Sequence, residues 1–123
     1  MRKKILTTLQ RIRRLEQQRA NTLRRLLGDA PLLRGSLSLV QRTCGKPNCH
    51  CATQPGHEVW VLGTSEGGQR RCQVLRQDDV DDVRRRLTAY QEFRKGLRAL
   101  EATHKEEKEL LRGLMEERNV PYE

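Results

Sequence analysis

Apolar and polar residues alternate along this chain with two different periods. Over residues 2–27 the positions Ile5, Leu9, Ile12, Glu16, Arg19, Leu23 and Leu26 recur at alternating steps of four and three, and five of the seven are apolar. That spacing holds a stripe on one face of a helix. Gly28 suits the position just past its end, and Pro31 bars continuation. Residues 35–42 alternate with period two, through Ser36, Leu37, Ser38 and Leu39, which predicts a strand with one apolar face. Residues 59–64 and 69–76 read as two more strands, joined by the Gly-rich connection Ser65-Glu66-Gly67-Gly68. With Thr64 opposite Gln69, Val61 faces Cys72 and Val59 faces Val74, so Cys72 is expected in the core among valines. Trp60 and Leu62 take the other face, near Arg71 and Gln73. A tryptophan there either stacks on a nucleic-acid base or packs against a helix, and packing is the expectation.

Asp78, Asp79, Asp81 and Asp82 mark the start of a second helix, one of the first two as cap and the others near the positive end of its dipole. It should run to about Asn119, ahead of Pro121. Its stripe reads Val80, Val83, Leu87, Tyr90, Phe93, Leu97, Leu100, His104, Glu107, Leu111 and Leu114, interrupted by His104 and Glu107. The predicted fold is α+β: a long antiparallel, coiled-coil-like helical hairpin with a three-stranded antiparallel sheet and a zinc-knuckle-like loop at its tip. The expected parts are a basic helix over 1–28, a cysteine-cluster β module over 34–77 and a long helix over 78–120, all within one compact unit. At 1.5 Å per residue the first helix covers the second only to about residue 105. Leu110, Leu111, Leu114 and Met115 then lack a partner within the chain, and a homodimer through the helices is expected.

The loop between the first two strands holds the chemistry. Cys44, Cys49 and Cys51 fall within eight residues, around Gly45 and Pro47, and Pro55-Gly56 then presents His57. Thiolates are the soft ligands zinc prefers, and tight turns are what bring four ligands together. Gly45 permits a positive φ, and Pro47 stiffens the turn. The favoured metal set is Cys44, Cys49, Cys51 and His57. Cys72 and His50 are the other candidates for the fourth ligand; if the backbone is extended, His50 points away from both neighbouring cysteines. Buried structural thiols or a redox-active Cys-x-Cys are the other readings of the cluster.

From Arg34-Gly35-Ser36-Leu37 through Cys44-Gly45-Lys46-Pro47-Asn48-Cys49-His50-Cys51-Ala52 to His57 and Val59-Trp60-Val61-Leu62, the chain resembles an uncharacterised family of small prokaryotic proteins. That family shows a Cys-Gly-Lys-Pro-x-Cys-x-Cys core, a histidine, an aromatic strand and a helical tail. Where it tends to read His-Gly-Pro, this chain has His57-Glu58-Val59. The resemblance covers about residues 34–95 and implies the fold outline and a zinc site. It also suggests a link to mobile-element DNA handling, since some members look associated with mobile elements, but it brings no established activity.

Composition narrows the classes. The chain has 123 residues, 35% apolar and 3% aromatic, with 33% charged, which favours narrow helical seams over a large core. Neither a signal peptide nor a membrane span is expected, and the cysteines read as reduced, in the cytoplasm. The net charge of +9 is uneven: residues 1–50 carry 12 Lys/Arg against 2 Asp/Glu, and residues 78–123 carry 10 against 12. Basic residues at the start of the first helix do nothing for its dipole, so a polyanionic partner is the better reason for them. The leading expectation is a non-enzymatic, zinc-stabilised nucleic-acid-binding protein, DNA being the favoured target. Arg13, Arg14, Arg42, Lys46, Arg70 and Arg71 would make the phosphate contacts, with no membrane and no small-molecule substrate. The alternatives are a coiled-coil adaptor whose zinc-bound tip binds another protein, and a thiol enzyme using Cys49 or Cys51 with His50.

Overall fold

The structure is a computed structural model that describes residues 2–43, 45–48, 50 and 56–122. Helix α1 spans Arg2–Leu26, strands β1, β2 and β3 span Ser36–Arg42, His57–Glu66 and Gln69–Leu75, and helix α2 spans Val80–Arg118 after a 3-10 turn at Gln77–Asp79. The fold is α+β, with an antiparallel sheet in the order β1-β2-β3 and one long helix of 39 residues. No helix among the described residues is long and apolar enough to cross a membrane.

Residues 30–91 form one compact unit, containing the sheet and the first turns of α2. Strands β2 and β3 meet at a two-residue turn, in which Gly67 and Gly68 have φ of 56° and 82°. Two consecutive positive φ values are the mark of the type I′ turn that suits the twist of a hairpin. Glu66 therefore pairs with Gln69, and Thr64 with Arg71. The expected register was two residues out, because the turn spends two residues rather than four. Val61 faces Val74, and Cys72 faces Gly63. Opposite a glycine nothing covers the thiol, so Cys72 is exposed and not part of the core.

The pairings Ser36–Gly63, Leu37–Leu62 and Leu39–Trp60 align β1 with β2. One sheet face carries Leu37, Trp60, Leu62 and Leu75, and the guanidinium carbon of Arg84 on α2 lies 5.3 Å from the centre of the Trp60 ring. The tryptophan is thus engaged by a helix, as packing predicted. The N–H of Leu33 donates to the carbonyl of Arg86 at 3.1 Å, tying the approach to β1 to the same helix. Leu62 and Val80 are among the few buried hydrophobic side chains of the described residues.

Residues 1–29 and 92–123 form the second unit. Its contact pairs run in opposite orders along the two helices: Leu26 meets Gly96, Arg11 meets Glu106, and Lys3 and Thr7 share a cleft with Leu110, Gly113 and Glu117. The inward positions of α1 are Ile5, Thr8, Ile12, Leu15, Thr22 and Leu26, with Leu15 only 2% exposed. Those of α2 are Phe93, Gly96, Leu100, Thr103, Glu107, Leu110 and Leu114. The α2 stripe steps by threes and fours, and so does that of α1 except between Leu15 and Thr22, where the expected Arg19 is exposed; in each helix every second position lies one residue before the one expected. Leu9, Leu23, Leu97 and Leu111 accordingly sit outside the seam and are exposed.

The seam is built on small residues. A Cβ on Gly96 would lie 2.6 Å from Leu26 Cδ2, so the leucine occupies the place of the missing side chain. Thr103 is buried because its hydroxyl donates to the carbonyl of Ala99 at 2.8 Å, leaving its methyl for packing. Helix α1 also extends along α2 beyond the expected limit of residue 105. The first turns of α2 belong with the sheet, so the end of α1 meets Gly96 rather than the start of α2. Helix α1 thereby reaches residues 109–117, where Leu110 and Leu114 line a cleft with Lys3, Thr7 and Thr8.

Candidate nucleic-acid interface and metal loop

The loop over residues 43–56 starts from a closed base. Arg42 is the register partner of His57. A Cβ on Gly56 would stand 2.4 Å from the Arg42 carbonyl oxygen, so backbone meets backbone there and only glycine fits. Gly45 has φ 80°, the conformation its place in the cysteine motif anticipated. The candidate ligands Cys44, Cys49 and Cys51 lie outside the described residues.

Their neighbours are informative. The rings of His50 and His57 pack edge to face, with centroids 4.9 Å apart. His50, set aside on an extended-backbone argument, therefore stands beside the favoured ligand. Cys72 lies elsewhere. Its partner Gly63 is six residues along β2 from His57, about 20 Å at strand rise, so Cys72 and His57 cannot bind one ion. Among the described residues no three His, Cys, Asp or Glu side chains converge. A donor set of thiolates and imidazoles at such a pinched loop is chemically suited to zinc.

The candidate phosphate contacts divide into groups. Arg13 and Arg14 are exposed on α1, and Arg42 and Lys46 are exposed at the base of the loop and within it. On the sheet, alternation separates two neighbours: Arg70 shares a face with Arg42, Cys72 and Val74, whereas Arg71 shares the face of Trp60 and Leu62. Arg71 lies 4.0 Å from Glu66. Arg13, Arg14, Arg42, Lys46 and Arg70 have no carboxylate partner among the described residues. Trp60, by contrast, is already covered by Arg84, and a stacked base would have to displace that guanidinium.

Two features of the described residues depend on contacts between distant segments. Arg34 lines a cleft with Arg70 at the edge of the sheet, although Arg34-Gly35-Ser36 stood at the head of the recognised pattern. Glu107 sits in the helical seam with its carboxyl pKa raised, first by desolvation and then by Glu16, which bonds to its neutral form and repels its charged one. Arg19 and His104 act in the opposite sense. A carboxylate at a seam position was visible in the periodicity, but its contact with Glu16 across the helices was not.

A family model described as a domain of unknown function, DUF6788, matches residues 6–85, which takes in most of α1, the whole sheet and the start of α2. The chain belongs to that family. No curated protein and no solved structure matches it.

Proposed function

We propose that this family member is a non-enzymatic, zinc-stabilised nucleic-acid-binding protein, accessory to the handling of DNA. One observation carries the reading: the basic side chains of the candidate interface are exposed and, Arg71 apart, without carboxylate partners among the described residues, in a chain of net charge +9. Arginines that stabilise a fold are ordinarily matched by acids, as Arg11 is by Glu106 at 2.6 Å and Arg86 by Asp82 at 3.1 Å. Unmatched cations raise the self-repulsion of the folded chain and are best satisfied by a polyanion.

In this reading zinc, held by Cys44, Cys49, Cys51 and His57, makes the loop rigid, so that Arg42 and Lys46 are presented in a fixed relation to Arg70. Arg13 and Arg14 add contacts from α1. Such contacts give affinity with little sequence selectivity. The protein acts as a homodimer, argued below from the exposed flank of its helical hairpin.

The test is a salt titration of binding to duplex DNA. Log affinity should fall against log salt with a slope of about −0.9 per phosphate contacted. Replacing Arg42, Lys46, Arg70 and Arg71 together by Ala should weaken binding and make that slope shallower, with zinc content unchanged. Absence of binding at low salt, where a charge-driven contact is strongest, would discard this function in favour of an adaptor whose zinc loop binds protein.

A further inference from the structure

At the edge of the sheet, Arg34, Gly35, Ser36, Gly63, Thr64, Ser65 and Arg70 enclose a cleft of about 170 Å³. Two glycines make it. A Cβ on Gly35 would stand 2.6 Å from the carbonyl oxygen of Gly63, so the chain entering β1 lies against β2 with no room for a side chain. A Cβ on Gly63 would come within 3.2 Å of Arg70 Nη2 and 3.1 Å of Ser36 Oγ. The guanidinium of Arg70 therefore lies over bare backbone, beside a hydroxyl, at a place any larger residue would fill.

The lining is one-sided in its chemistry. It offers the side chains of two arginines and the hydroxyls of Ser36 and Ser65, which share the face of Arg70, and it contains no carboxylate. Neither Arg34 nor Arg70 has an acidic partner among the described residues; the nearest acid in sequence, Glu66, is turned to the other sheet face, toward Arg71. Guanidinium forks and hydroxyl donors around a small space match a tetrahedral oxyanion. The volume falls below the roughly 300–1,000 Å³ of sites that enclose whole small molecules, so the cleft takes a group rather than a molecule.

We propose that this cleft is a phosphate-binding site, with Arg34 and Arg70 as the charged ligands and Ser36 and Ser65 as hydroxyl donors. The inference deepens the nucleic-acid reading and rests on it for the source of the phosphate, a backbone phosphodiester. A free phosphate would meet the same donors, and the two sources separate by experiment.

The full-length, isotopically labelled protein is titrated with inorganic phosphate and, separately, with a duplex oligonucleotide, following the amides of Gly35, Gly63 and Ser65 and the side-chain Nε signals of Arg34 and Arg70. Both ligands should shift these signals, and phosphate should compete with the oligonucleotide. Gly63→Val retains every charge but occupies the place of the guanidinium. It should weaken oligonucleotide binding about tenfold, as should Arg70→Ala, whereas Arg112→Ala, which removes a charge on α2, should change it by less than about twofold. Ser36→Ala, which leaves the strands undisturbed, should give a smaller loss in the same direction. If the oligonucleotide binds but these variants behave like Arg112→Ala, the cleft is overturned and the nucleic-acid reading stands. If phosphate alone shifts the signals, the site stands and that reading fails. Silence of these signals toward both ligands overturns the site.

Discussion

Gly96 and Gly113 are the same residue in the same helix, and their surroundings give them opposite roles. Gly113 has nothing within 4 Å of where a Cβ would stand, so Gly113→Ala should stabilise the protein by about 0.5–1 kcal/mol through helix propensity alone. Gly96→Ala gains the same propensity but drives a methyl into Leu26, with Cδ2 at 2.6 Å and Cγ at 3.1 Å. Overpacking of that kind costs about 1–3 kcal/mol, so a net loss of about 1 kcal/mol is expected in denaturant unfolding. Truncating Leu26 in the same chain should make the two glycine sites behave alike. Glu107 supplies a pH-dependent counterpart. Its folded pKa lies above the unfolded value of 4.5, so its contribution is fully present below that pH and is lost as pH rises through the folded pKa. Glu107→Gln mimics the neutral form. Its Tm should exceed that of the parent by a few degrees near pH 7, and the gap should close near pH 4.

Among the elements, the loop between β1 and β2 carries the candidate metal ligands. It leaves and re-enters the sheet at the Arg42–His57 pair and is pinched at Gly56. Zinc bound there would close the loop and couple metal to sheet folding, as it does in many small domains. Metal analysis of protein purified without added metal should find one zinc per chain. Cys49→Ser should abolish it, and His57→Ala should weaken it more than His50→Ala. Retention of zinc by His57→Ala with loss in His50→Ala would exchange the two imidazoles, which stand only 4.9 Å apart. Chelation should lower β content, while the helical signal of α1 and α2 persists, because the helices share a seam of their own.

For the whole molecule, the exposed flank of the helical pair matters more than its end. Leu9 and Leu23 each follow an inward residue of α1, and Leu97 and Leu111 each follow an inward residue of α2. In antiparallel helices such positions share one flank, opposite the Arg11–Glu106 pair. With Leu6, Leu27 and Met115 they make an apolar stripe, and Met115 is 62% exposed. Between its apolar ends the flank carries Arg13, Glu16, Glu101 and Lys108, whose mixed signs allow a two-fold copy to set acid against base. A second copy of this chain is therefore the expected occupant. Leu111→Lys with Met115→Lys should convert a dimer to a monomer in sedimentation, with helicity and zinc unchanged. A monomeric parent at micromolar concentration would remove the dimer and leave the flank to another protein.

Two helices, three strands and the glycine-marked hairpin were legible in the chain order of residues, because period, caps and turn chemistry are local properties. So were the seam positions Ile5, Ile12 and Leu26 in α1, and Phe93, Leu100, Glu107 and Leu114 in α2, though not Arg19, which is exposed. The intervening positions were not. A leucine and its neighbour one residue back both lie near the face of a helix, and which of them turns inward depends on how closely the partner approaches. Leu26 fills the space a side chain at position 96 would need, and Thr22 and Thr103 are buried while Leu9, Leu23 and Leu97 are exposed, which only the packed pair shows. The same holds for Cys72, whose exposure follows from a two-residue turn, and for the Arg34–Arg70 cleft, whose halves are far apart in the chain. Local periodicity specified the elements; register, close approach and convergence belong to pairs of elements, and no single stretch of sequence contains both members of a pair.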